Sequence, residues 1–204
     1  MTGRMTGSMT SRTPAPRRPF RRRRAAGQPE ATMSRSVALT LQELAVDHVH
    51  TTLEPEDWQW QPSLKEALEG LTAAQAAWKP APERHSIWQI VRHLILWKRG
   101  VLDAWDGHPP DGERLSADDW KPAAGSEADW ERDRRTLLEI STQFLTRTQA
   151  LDDAGLSKPV VWYQGGATQP LVVRVVRTTT HDVYHAGQIR YLRALQGLSG
   201  KRRT

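Results

Sequence analysis

The segment SIWQIVRHLILWKRGVLDAW, residues 86–105, most constrains how this chain can fold. Ser86 and Gln89 form an S-x-x-Q capping box at its start. Behind it Ile87, Ile90, Leu94, Trp97, Val101 and Trp105 recur at three- and four-residue spacing, which predicts one apolar stripe on a long helix. Such a helix is stable only against other apolar faces.

Three more segments offer such faces. Residues 37–50 place Leu41, Leu44, Ala45 and His48 at helical spacing. Ser126 and Asp129 cap a helix in which Trp130, Leu137, Phe144 and Leu151 repeat every seven residues, with Leu138, Ile140 and Leu145 beside them. The last helix is predicted to start after Pro170 and to end near Gly197. LVVRVV within it is β-branched, yet the helical pattern continues unbroken to Leu195. Short helical turns are expected from Ser63 to Gly70 and from Thr72. EPEDWQWQP interrupts after the first helix, and residues 106–125 and 152–170 read as long connections, the second with an extended stretch at VVWY. The expected fold class is therefore all-α, a four-helix bundle with long connections and a disordered N-terminal tail.

Charge divides the 204-residue chain unevenly. Residues 1–35 hold nine arginines against one acid, Glu30, a net of +8, so the overall +6 leaves −2 for residues 36–204. The expected organisation is an Arg-rich disordered tail (1–35), a bundle (36–199) and a basic C-terminal end (200–204). The tail has almost nothing to bury, and Met33 offers an internal start. Nucleic acid is a partner only through that tail. The chain has no cysteine, which removes disulfides, thiolate nucleophiles and cysteine metal sites. No apolar run approaches the ~18 residues of a membrane span, and no apolar stretch follows the RRPF pair as in an export signal, so a cytoplasmic protein is expected.

The chemistry-bearing stretch is HDVYHAGQI. His181 and His185 are four residues apart, about 6 Å along a helix axis, on the same stripe as Leu171, Ile189 and Leu192. His93 lies at the margin of the 87–105 stripe, beside Ile90 and Trp97. His85 and His108 fall in loops and are expected to be exposed. Each histidine alone is as readily a packed core side chain, and the pair also admits a catalytic base helped by Asp182. Two basic rings buried on one face are costly, however, and a shared cation relieves that cost. Asp182 sits about 60° to 100° round the helix, equally suited to a surface salt bridge, to support of a histidine, or to a base. Trp97, Tyr184 and Gln188 adjoin the histidines as candidate pocket residues. A zinc-peptidase H-E-x-x-H is a poor match, because Asp182 replaces the glutamate and no His, Asp or Glu follows His185.

LTAAQAAWKPAPERHSIWQIVRHLILWKRGVLDAW together with HDVYHAGQIRYLRAL resembles the DinB-like superfamily, over roughly residues 37–197. The resemblance implies a four-helix bundle holding a divalent metal, zinc or nickel, on three histidines. RHL supplies His93, and HDVYHAGQI supplies His181 and His185. It also matches a small residue to Gly187, where a close helix–helix contact is expected. Relatives of this kind include low-molecular-weight-thiol S-transferases and metal-dependent hydrolases. The implied function is activation of a small thiol co-substrate at a metal on three histidines. The alternatives are hydrolysis by a metal-activated hydroxide and a non-catalytic metal-binding bundle in a stress response. The expected partners are a small-molecule substrate and a second copy of the chain in a homodimer.

Overall fold

Serine and threonine caps start most of the helices. A computed structural model describes residues 38–198; the expected tail, residues 1–35, and the basic end, residues 200–204, lie outside them. Thr40, Ser63, Thr72, Ser86 and Ser126 each accept a hydrogen bond from the backbone N–H three residues on. They open α1 (Leu41–Leu53), α2 (Leu64–Leu68), α3 (Ala73–Ala77), α4 (Ile87–Trp105) and α6 (Glu127–Gln149). In α4 and α6 the predicted boxes are complete, with Gln89 and Asp129 each accepting from the cap's own backbone N–H. α8 (Leu171–Leu195) begins directly after Pro170 and stops before Gly197, whose φ of +72° turns the chain.

The two long connections carry more structure than expected. Residues 106–125 contain α5 (Gly112–Asp118), capped by Asp111, and residues 152–170 contain α7 (Asp153–Ser157) and a small antiparallel pair. In that pair β1 (Pro159–Val161) runs against β2 (Thr168–Pro170), with Val160 opposite Gln169. The extended stretch thus falls where VVWY places it.

The long helices α1, α4, α6 and α8 form the bundle. α1 and α4 each pack on both α6 and α8, so the ring order is α1–α6–α4–α8 and the first two long helices occupy opposite corners. α2 covers α8, and α3 covers α4 and α6. The core holds Ile87, Ile90, Leu94 and Val101 of the α4 stripe with Trp130, Leu137 and Phe144 of α6. Trp97 and Trp105, at the stripe's edge, are only half-buried. Leu44 departs from its expected place and is exposed, because it turns away from the α6 and α8 contacts of α1. Leu151 falls beyond the end of α6. Among the described residues no helix is long and apolar enough to cross a membrane.

Two tryptophans lock α4 to α6. Trp88 and Trp130 are fully buried and meet edge-to-face, 5.5 Å between centroids. Trp88 Nε1 donates to Asp133 Oδ2 at 2.8 Å, and Trp130 Nε1 donates to the carbonyl of Leu71 at 2.7 Å. Denaturant unfolding should show Trp130→Ala costing about 3–5 kcal/mol through the cavity it opens. Trp130→Phe should cost about 1–3 kcal/mol, from the Leu71 carbonyl left without its donor. No measurable cost for Trp130→Phe would show that the indole hydrogen bond contributes nothing.

Candidate metal centre

α4 and α8 meet face to face, and at that contact the three histidines converge. His93 Nε2 lies 3.0 Å from His181 Nε2, which lies 2.9 Å from His185 Nε2. The three nitrogens all fall within 4.8 Å of one another. His93 and His185 are buried and His181 is partly so.

The outer ring nitrogens decide what the inner ones carry. His93 Nδ1 sits 2.8 and 2.9 Å from the two oxygens of Asp119, and His185 Nδ1 sits 2.7 Å from Gln188 Oε1. Both partners are acceptors, so each Nδ1 carries the proton and each Nε2 presents a lone pair. His181 Nε2 can donate to only one of those lone pairs. Burial, followed by the charges of neighbouring groups, pushes His181 down to about 4 and His185 down to about 3; burial also lowers His93. Extra protons therefore do not resolve the convergence near neutral pH. A cation does, and three neutral imidazoles from two helices are a donor set that suits one.

The connection after α5 supplies a second layer that the sequence pattern did not reveal. Asp119 also accepts from Trp97 Nε1 at 2.8 Å and from the backbone N–H of Trp120 at 2.9 Å. Trp120 stacks on His93 at 4.1 Å and on His85 at 3.8 Å. It is the one non-glycine among the described residues with positive φ, +55°, a conformation costing roughly 1–3 kcal/mol that surrounding contacts must hold. One such contact is Gln89, whose Nε2 donates to the Trp120 carbonyl at 3.0 Å while its Oε1 completes the α4 cap. His85 is exposed as expected, yet it touches this layer; His108 is exposed and remote from it.

The candidate pocket residues divide. Trp97 lines a cavity of about 290 Å³ that also touches His93 and His181. Gln188 orients His185. Tyr184 is largely exposed; it accepts from Gln188 Nε2 at 2.8 Å and meets the His185 ring edge-to-face, 5.0 Å between centroids. A larger cavity of about 480 Å³ touches His93 but neither other histidine, and both signs of charge line it, with Arg92 paired to Asp133 at 2.7 Å.

Two expectations are corrected. Asp182 is not a surface residue: it is 1% exposed and pairs with Lys98 of α4 at 2.6 Å. Burial pushes its carboxyl up, and the Lys98 ammonium opposes that rise. α8 packs against α1, α2 and α4 together, so its buried arc is wider than one stripe. Gly187 is exposed, with no atom within 4 Å of where a Cβ would stand, so no helix presses on it.

The depressed histidines make the metal-free protein acid-sensitive. Below the ordinary value of 6.5 the unfolded chain binds protons that the folded rings refuse until about pH 4 for His181 and 3 for His185. Stability of the metal-free protein should therefore fall as pH drops from about 6.5 toward 4, and His185→Gln should show a shallower fall. Thermal midpoints across that range test this, the paired variant cancelling opposing contributions such as Asp182; identical slopes would contradict it.

Known proteins place the chain by fold and by sequence. A crystal structure of a DinB-like protein from Bacillus cereus ATCC 10987 is similar in fold, with a TM-score of 0.52 and 17% identity, covering 68% of this chain and 86% of that one. No curated protein matches. The sequence profile of the DinB superfamily matches residues 57–189, which span α2 to most of α8. The chain belongs to the DinB superfamily.

Proposed function

We propose that His93, His181 and His185 hold one divalent ion, zinc or nickel, and that the protein is an enzyme activating a small thiol for transfer to an electrophile. The observation that carries this reading is the convergence of three Nε2 atoms, at least two of them bare lone pairs, beside an open cavity. An ion held by these three histidines would supply a Lewis-acidic position that favours the ionised form of a thiol at neutral pH.

The chain's own residues do the rest. Asp119 fixes the tautomer and plane of His93, and Gln188 does the same for His185. Trp97, held by Asp119, and Trp162 form walls of the cavity at the triad. Lys98 sits against the same cavity with its charge matched by Asp182, so it fixes the α4–α8 register without leaving a bare ammonium beside the triad. A chain without cysteine has no sulfur nucleophile of its own, which supports a thiol as co-substrate.

Purified protein should carry close to one divalent ion per chain by elemental analysis. His181→Ala or His185→Ala should abolish this, and His93→Ala should abolish or severely weaken it. His108→Ala should bind as the parent does. Asp119→Asn should weaken binding by about 10- to 100-fold. Unchanged binding by His93→Ala would refute the three-histidine site.

Metal-loaded protein should also speed the reaction of a small thiol with an electrophile, and the rate should vanish in His181→Ala. Ester or amide hydrolysis without thiol would instead favour the hydrolytic alternative. Metal binding with neither activity would leave a non-catalytic bundle.

A further inference from the structure

We propose that the cavity beside the histidine triad is an anion subsite, in which Arg174 and Arg177 receive a carboxylate or phosphate group of the substrate. Calling the ligand a substrate rests on the proposed reaction centre; the anion site itself stands on the cavity.

Arg174 and Arg177 precede His181 on α8 by seven and four residues, about 10 Å and 6 Å along the axis, and share its face. Both line the 290 Å³ cavity that reaches His93 and His181. No acidic side chain lines it. Its third cation, Lys98, is already neutralised by Asp182 at 2.6 Å. The two arginines are not. Among the described residues neither lies within ion-pair distance of a carboxylate, and Arg177 has only the neutral Gln169 Oε1 at 3.0 Å.

Several other arginines of the body meet a carboxylate: Arg92 holds Asp133, Arg134 holds Glu131, and Arg190 holds Glu66. Arg174 is instead laid over Trp162, its Cζ 4.5 Å from the ring centroid, with a buried Nε that has no hydrogen-bond partner. Burial, and then the like charge of Arg177, lowers its pKa, which marks a guanidinium set in place without its counter-charge. Trp162 orients the guanidinium plane, and the fork matches a two-oxygen anion. The body as a whole is slightly acidic, so a purely cationic cavity there is not an overflow of general basic charge. Both arginines and the triad open on one cavity, which selects a small molecule that carries its anionic group apart from its reacting atom.

Calorimetric titration of the full chain with succinate and with inorganic phosphate tests this. At least one should bind saturably, the preferred probe naming the group as carboxylate or phosphate. Arg174→Gln and Arg177→Gln should each weaken binding by about tenfold or more, while Arg135→Gln, an exposed α6 residue, should not. Arg177 is exposed, so its variant keeps the test valid should Arg174→Gln fail to fold. Binding should persist in His185→Ala, which separates the subsite from the metal; a parent protein that bound the anion and no metal would refute the reaction centre and leave the subsite standing. No saturable binding of either probe, or unchanged binding in both arginine variants, would overturn the proposal.

Discussion

The buried contact between α4 and α8 is what the rest of the molecule depends on, and the Lys98–Asp182 ion pair fixes its register. Lys98 follows His93 by five residues, and Asp182 directly follows His181, so the 2.6 Å bridge lies one step from the triad. Both side chains are nearly inaccessible to water, and losing either partner would strand a buried charge at about 3–5 kcal/mol. A slip by one residue would break this pair and separate His93 from His181 at once. The bridge therefore does for geometry what an apolar contact could not, since leucines tolerate sliding and a 2.6 Å charge pair does not.

Around that contact the bundle spends local strain to orient one imidazole. Gln89 links the start of α4 to the Trp120 carbonyl, Trp120 takes a left-handed backbone, and Asp119 is left facing His93. The same carboxylate holds Trp97, so the ring that could bind a cation and the wall of the cavity share one support. The capping residue of a helix thus reaches the chemistry through a single connection.

Much of this was legible in the sequence because it is periodic or local. The Ser86 and Ser126 boxes, the stripe of α4, the start of α8 after Pro170 and the shared face of His181 and His185 follow from helix geometry alone. His93 was found at a stripe margin, which is where a ligand facing a cavity rather than the core should be. Asp119 and Trp120 were not legible, because they lie on a connection with no period and act on residues 22 or more positions away. α5 escaped for a related reason: it buries no residue, so it leaves no apolar stripe. Asp182 was misplaced because a helical wheel knows one buried face, whereas α8 is covered on several. Gly187 shows the opposite error, a small residue read as a close contact where the structure has open space.

The positive charges around the triad act in one direction. His93 and Lys98 add to burial in holding His181 neutral, while Asp119, on the far side of His93, works against them. Neutral imidazoles are what a cation needs as ligands, so a nearby positive field protects the site from protons at the cost of some attraction for the metal. Pairing Lys98 with Asp182 limits that cost. Arg177 and Arg174, one and two turns before His181 on α8, have no such pairing, and they line the same cavity as His181. An anionic ligand entering there would cancel their repulsion and bring negative charge toward the triad, strengthening its hold on a cation. Occupancy of the cavity and occupancy of the triad should therefore favour each other, through charge alone and without any movement of the helices.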